Sequence, residues 1–228
     1  MTVSQATRDE LPPAMELGAL VGLLASVTLG ALAATIVLPA WVPGLAQTLT
    51  GETPKAYWYL ARISGLVAYA LLWLSMSLGV ALTNRLARLW PGGPVAYDVH
   101  QHTSLLGLAF ALFHALILLG DRFAAYTPFQ LLVPFAAVAY RPLWVGLGQL
   151  AFYGLAVVGL SFYFRPVSGP KVWRAIHFLS FLVYGLALLH GLFSGTDTGA
   201  ASISLVYWVT SGSLVFLISY RVLGRFMS

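Results

Sequence analysis

The sequence predicts an all-α membrane protein, a six-transmembrane-helix bundle. Hydrophobic residues make up 59% of the 228-residue chain and charged residues only 8%, whereas soluble domains carry about 25% charged residues. A helix needs about 20 residues to cross roughly 30 Å of hydrocarbon. The apolar stretches that are long enough to cross cover approximately residues 17–39, 57–82, 99–120, 143–164, 172–193 and 203–222.

Basic residues predict how this bundle sits in the membrane, because Lys- and Arg-rich loops tend to stay in the cytoplasm. Of the 12 Lys and Arg residues, eight fall on the side that includes both chain ends. We therefore expect cytoplasmic N and C termini, in the inner membrane if the protein is bacterial, and no nucleic-acid partner despite the formal charge of +5. The predicted regions are a cytoplasmic segment (1–16), a first transmembrane helix with its external loop (17–56), the site-bearing helical domain (57–222) and a cytoplasmic tail (223–228).

The chain contains no cysteine, which excludes disulfides, cysteine-ligated iron–sulfur clusters, thiolate zinc sites and covalent c-type haem attachment. An ionisable side chain inside a membrane is costly and is functional by default. A shared role is therefore favoured for four histidines on two apolar stretches. They are His100 and His114 on the third stretch, and His177 and His190 on the fifth.

The spacing of the histidines predicts two pairs at two depths. His100 and His114 are 14 residues apart, a rise of about 21 Å that leaves them about 40° apart around an ideal helix. His177 and His190 are 13 residues apart but about 140° apart around the helix. We expect a π-bulge or similar irregularity to turn both inwards, since such bulges favour functional sites. The third and fifth spans run in the same direction, so His100 pairs with His177 near the cytoplasm and His114 pairs with His190 nearer the outside.

Two imidazole pairs suit two non-covalent b-type haems. Two neutral imidazoles fill both axial positions of a haem iron, which favours electron transfer over oxygen binding. Two arginines are candidates for the haem propionates: Arg174 for the inner haem and Arg62 for the outer one. The alternative for Arg174 is an ordinary cytoplasmic anchor. The sequence contains no acid–base or nucleophile pattern of the usual hydrolytic kinds, so no catalytic residue is predicted.

Three other residues have weaker claims to a role at this site. His102 points to another face of the helix from His100, which favours an interfacial position over haem ligation. Met76 could ligate through its thioether, but a single methionine in an apolar helix is usually a packing residue. Asp197 follows His190 closely and could tune or gate the edge of the outer haem, although a polar turn is the alternative.

The connection between the third and fourth spans, about residues 121–142, is apolar and aromatic. Prolines at positions 128, 134 and 142 break any spanning helix in it. It is predicted to be an external interfacial or re-entrant segment, which is allowed at membrane depth only if protein buries its open backbone groups. A lid over the bundle is the favoured interpretation, and the lining of an external acceptor or quinone site is the alternative.

Four stretches carry a resemblance to the ferric reductase-like transmembrane domain family, which covers about residues 57–222, most of the chain. They are RISGLVAYALL from Arg62, HQHTSLLGLAFALFHALILL from His100, YRPLWVGLGQLAFY from Tyr140 and WRAIHFLSFLVYGLALLHG from Trp173. This family includes the membrane parts of ferric reductases and NADPH oxidases, and the haem-binding membrane subunit that serves bacterial methionine sulfoxide reductase. The resemblance implies that the third and fifth helices hold haem b through the four histidines, and that the 13-residue spacing is tolerated.

The resemblance also implies a function, a membrane cytochrome b subunit of an oxidoreductase. Full ferric reductases and NADPH oxidases carry FAD- and NAD(P)H-binding domains after the last helix, whereas about six residues follow the last predicted helix here. We therefore expect electrons to come from a separate flavoprotein or from quinol, and to leave to an external acceptor. The alternatives are a haem-free transition-metal or proton transport component, which the scarcity of membrane carboxylates disfavours, and a purely structural membrane subunit.

Overall fold

The computed structural model describes residues 12–37, 56–84, 86, 89, 92–121 and 124–226. This part of the chain is α-helical and contains no β-strand. A π-helical turn over Ala33–Val37 extends the first helix, and a 3₁₀ turn over Leu118–Gly120 extends the third. The helices are α1 (Leu17–Leu32), α2 (Ala56–Thr83), α3 (Gly93–Ile117), the short α4 (Pro128–Leu132), α5 (Pro142–Ser161), α6 (Arg165–Ser194) and α7 (Ala201–Phe226).

Six helices in the described ranges are long and apolar enough to cross a membrane, which confirms the predicted number of spans. Large apolar side chains also cover their outer surface, as at Trp208 and Phe216 of α7, which are 77% and 66% exposed. Contact with membrane lipid accounts for such exposure. The predicted segment 1–16 and the external loop that follows the first helix fall largely outside the described residues, and the side of the membrane that each chain end faces stays a prediction.

Two helices begin earlier than predicted. α3 starts at Gly93 instead of residue 99. The first turn of α6 starts at Arg165 instead of residue 172, and the non-helical Gly169 separates that turn from the rest of the helix. Both have a proline in the first turn, where its fixed φ and its missing N–H suit a helix start. The apolar run therefore marks the part of each helix inside the membrane but not its first turns.

The spans form two antiparallel helix pairs, α2 with α3 and α5 with α6. In the first pair, Tyr57 near the start of α2 packs against Ile117 at the end of α3. In the second pair, Trp144 near the start of α5 stacks on Phe193 near the end of α6, with ring centroids 4.1 Å apart. The helices that carry the histidines, α3 and α6, are thus each backed by a neighbour along their length.

A shared core joins the two helix pairs to α7. Trp73 on α2 donates a hydrogen bond from Nε1 to the hydroxyl of Ser213 on α7, which fixes that contact. Met76 lies in this core and is 7% exposed, a packing position. The buried core residues are Tyr69, Leu72, Met76, Leu108, Leu155, Val183, Tyr184, Tyr207 and Leu214.

Three hydroxyl groups are hydrogen-bonded at the centre of this core. Tyr69 Oη lies 2.9 Å from Tyr184 Oη and 2.7 Å from Thr210 Oγ1. The three residues come from α2, α6 and α7, and buried hydroxyls need such partners because unpaired ones are costly. This cluster therefore ties three helices together at one level.

Tyr69→Phe is expected to lower the free energy of unfolding by about 1–3 kcal/mol, because it leaves buried hydroxyls without their central partner. Thermal unfolding of the purified protein in detergent measures the loss. Tyr220→Phe is the matched control, since Tyr220 is exposed on α7. Equal stability of the two variants would contradict the structural role of the cluster.

The predicted irregularity between His177 and His190 is wrong. α6 is helical between them, and its non-helical residue is Gly169, with φ of 79°, just before Pro170. Proline disrupts the preceding helical turn, and glycine accepts the positive φ that results. Both histidines still face the bundle, because positions 140° apart lie about 70° to either side of one direction, within reach of an imidazole side chain.

Candidate functional site

The structure brings the four histidines together as two pairs between α3 and α6. The ring centroids of His100 and His177 are 6.0 Å apart, and those of His114 and His190 are 6.1 Å apart. The two rings of each pair are nearly perpendicular, at 76° and 75°. The two pairs are therefore alike in geometry, and they lie at two levels of the same bundle.

Three of the four imidazoles are oriented by the backbone of a neighbouring helix. In each case Nδ1 lies within hydrogen-bond distance of a carbonyl oxygen, which can only accept, so Nδ1 carries the proton. Nε2 is then the nitrogen that remains for a metal, and such a second hydrogen bond is what fixes metal-ligating histidines elsewhere. The contacts are His100 with Ser75 at 2.8 Å, His114 with Ala61 at 2.6 Å and His190 with Trp144 at 2.9 Å.

A glycine follows each of these carbonyls by four residues, one turn along the same face. A Cβ placed on Gly79 would lie 3.2 Å from His100 Cε1, and one on Gly65 would lie 2.9 Å from His114 Nδ1. A Cβ on Gly148 would overlap the His190 ring. The missing side chains therefore make the space in which the rings lie.

His177 is oriented in a different way. Its ring stacks on that of Trp173, one turn earlier in α6, with centroids 5.2 Å apart and planes 28° apart. No hydrogen bond of its imidazole is present within the part of the chain that the structure describes. The site of His100 and His177 is thus fixed by a backbone carbonyl on one side and by an indole ring on the other.

A cavity of about 320 Å³ adjoins the other pair, with His114 and His190 in its wall. Arg62 and Asp197 line the same cavity and form an ion pair. The guanidinium carbon of Arg62 also lies 3.9 Å from the centre of the Trp58 ring, a cation–π contact. Arg62 and Asp197, the two residues predicted for this end of the bundle, therefore both lie at the cavity and are paired with each other.

The segment between α3 and α5 covers this cavity, and one α5 side chain bonds three of its backbone groups. Gln149 on α5 donates from Nε2 to the carbonyls of Gln130 and Leu131, at 2.8 Å each, and its Oε1 accepts from the backbone N–H of Phe135 at 3.2 Å. These bonds satisfy backbone groups that the short helix α4 leaves open. The segment is therefore an ordered cover.

The same segment also contributes residues to the cavity wall, so it both covers the cavity and lines it. Tyr126 and Tyr140 both line the cavity. Burial, together with the nearby Tyr140 and Asp121, raises the pKa of Tyr126 above its usual value. The Tyr126 hydroxyl therefore stays protonated and can donate a hydrogen bond into the cavity.

Two candidates are not brought to the histidine pairs. Arg174 is exposed, whereas Arg165 lies over the Trp173 ring that stacks on His177. His102 has 42% of its side chain exposed, and its Nδ1 bonds the carbonyl of Asp98 in its own helix at 3.0 Å. The interfacial interpretation of His102 fits this position.

Sequence reasoning missed the carbonyls and glycines that hold the rings. A signal for two of them exists, because Gly65 and Gly79 have the same 14-residue spacing as His100 and His114. In an antiparallel helix pair, equal spacings bring both positions into contact at once. Nothing comparable marks Gly148 beforehand.

The donor sets are pairs, not larger clusters. No group of three or more His, Cys, Asp or Glu residues is placed to hold a metal ion within the described ranges. A metal ion bound by two imidazole nitrogens at about 2 Å each places the ring centres about 6 Å apart, which is the separation found in both pairs. Each pair therefore has the ring separation of two imidazoles that bind one ion from opposite sides.

The fold and the site define a class: a helical protein with six potential membrane spans and two histidine pairs between its third and fifth spans. Comparison of the chain with models of known families, with curated proteins and with solved structures found no match. Kinship with the ferric reductase-like family therefore stays a prediction.

Proposed function

We propose that this protein is a membrane cytochrome b, the electron-transfer subunit of an oxidoreductase similar to ferric reductases. In this proposal one haem b lies between His100 and His177 and a second between His114 and His190. The observation that carries the proposal is the 6 Å separation of the rings in both pairs. Haem supplies reversible one-electron chemistry at an iron whose remaining two positions suit two imidazoles.

The residues around the pairs support this use of them. Carbonyl oxygens that accept from Nδ1 hold the rings in place and raise the basicity of Nε2. In addition, the apolar helices around the pairs provide low-dielectric surroundings, which are one of the factors that set a haem's redox potential. Arg62, partly balanced by Asp197, offers a cation at the cavity beside His114 and His190 for the carboxylates of a bound group.

The donor and the acceptor belong to the same proposal. With both chain ends in the cytoplasm, His100 and His177 lie nearer the cytoplasmic side, where a separate flavoprotein or quinol delivers electrons. His114 and His190 lie nearer the outside, where the cavity under the 124–141 segment gives an acceptor access. Purified protein in vesicles tests electron transfer across the membrane: added reductant outside should reduce an enclosed acceptor only when the protein is present.

An optical difference spectrum tests the proposal as a whole. We expect purified protein, dithionite-reduced minus oxidised, to give a low-spin b-type spectrum, and extraction to yield about two haems per chain. Protein that contains no haem after expression with ample haem supply would contradict the proposal and favour haem-free metal or proton transport. For the metal part of that alternative, two imidazoles alone make a poor site for a free ion that prefers four ligands.

A further inference from the structure

Trp173 carries a buried hydrogen-bond donor that has no partner among the residues that the structure describes. Its Nε1 atom is inaccessible to solvent and bonds to no group among the described residues. An indole N–H can only donate, and a buried donor without an acceptor is unfavourable. The ring that carries this N–H stacks on His177, so the vacant donor lies at the edge of the His100 and His177 site.

Two further donors lie at the same edge. The guanidinium carbon of Arg165 is 5.7 Å from the centre of the Trp173 ring, and Arg165 is hydrogen-bonded to Tyr97. Tyr97 precedes His100 by three residues and Trp173 precedes His177 by four. Both helices therefore present a donor one turn before their histidine, on the same side of the pair.

We propose that Trp173, Arg165 and Tyr97 form the binding site for the carboxylates of the haem held by His100 and His177. This inference rests on the proposed function. A carboxylate accepts from a guanidinium, an indole N–H and a phenol alike, and the bonds are strong because they are charge-assisted. The propionates of a haem leave from one edge of the ring, and an edge directed towards these donors gives the orphaned indole N–H its acceptor.

The proposal replaces Arg174 by Arg165 in this role. Arg174 follows Trp173 directly but is exposed, whereas Arg165 is half-buried and lies over the rings of Phe162 and Trp173. A guanidinium stacked on aromatic rings is fixed in position and partly shielded from water. Arg165 can therefore bind a carboxylate with less loss of side-chain freedom than Arg174.

The test compares haem with haem dimethyl ester, in which both carboxylates are esterified. Apo-protein with His114→Ala has only the His100 and His177 pair left, and it is titrated with each probe while the Soret band is followed. Trp173→Phe is then added in this background, because phenylalanine keeps a stacking ring but has no N–H. Arg165→Gln removes the cation, and Arg174→Gln is the matched control.

We expect Trp173→Phe and Arg165→Gln each to weaken haem binding about tenfold, the size of one charge-assisted bond. Their binding of the dimethyl ester should equal that of the background protein, and Arg174→Gln should bind both probes like the background. Equal losses for both probes would show that the ring acts only by stacking and would overturn the inference. Unchanged haem affinity in both variants would overturn it as well.

Failure of the proposed function has a different signature. If the His114→Ala protein binds neither probe while the unaltered chain also binds no haem, the histidine pairs are not haem ligands and this inference falls with them. A second outcome is that the unaltered chain and the background protein both bind haem, but the variants lose haem binding and ester binding equally. In that case only the assignment of Trp173 and Arg165 is wrong.

Discussion

Under the proposed function, His190→Ala is expected to remove one haem and leave the other in place. His190 pairs with His114, and the second pair is separated from it by about 20 Å of helix rise. The remaining imidazole cannot complete a bis-histidine site, so one of two low-spin haems is lost. Haem extraction should give about one haem per chain instead of about two, and the low-spin optical signal should fall by about half.

His177→Ala should give the same haem count by removing the other haem. The two variants are distinguished by redox titration, since each retains a haem in a different environment: one beside the Arg62 and Asp197 pair, the other beside Trp173. His102→Ala is the control, because His102 bonds its own helix, and it should keep both haems. Full haem content in both His114→Ala and His190→Ala would contradict haem ligation by this pair.

The spans and the histidine pairs could be predicted because they follow from regular helix geometry. The six spans follow from the length of the apolar runs, and the pairing of His100 with His177 follows from depth and direction. The expected irregularity in α6 was wrong because it was based on the 140° angle between His177 and His190 around an ideal helix. Ideal helical angles describe where a Cα lies, whereas an imidazole extends far enough from either flank to reach its partner histidine on α3, so no bulge is required.

The groups that orient the histidines depend on which helices pack together, and this packing cannot be read from a single sequence. The carbonyl of Trp144 matters only because α5 lies against the end of α6 that carries His190. Arg165 precedes the apolar run of α6, where a basic residue is predicted to be a membrane anchor. The break at Gly169 separates it from the rest of α6, and only the folded chain places its guanidinium over Trp173.

Gly148→Ala is expected to reproduce most of the effect of His190→Ala without altering any ligand. A Cβ at this position would lie 2.6 Å from His190 Cγ, closer than real side-chain carbons approach. The ring has to move, and it then loses the Nδ1 hydrogen bond to the Trp144 carbonyl that orients it. Haem content should fall towards one per chain, with the remaining haem unchanged in its spectrum.

The glycines also predict a graded series, which separates a displaced ring from general damage. The Cβ of an alanine would approach the ring most closely at Gly148, less closely at Gly65 and least at Gly79, where the contact is 3.2 Å. Haem loss should follow that order. Gly148→Ala and Gly65→Ala affect the His114 and His190 site, whereas Gly79→Ala affects the His100 site. Gly159→Ala on the same helix as Gly148 meets nothing within 4 Å, so it should keep both haems. Equal haem contents in Gly148→Ala and Gly159→Ala would mean that the His190 ring does not need the space that Gly148 leaves.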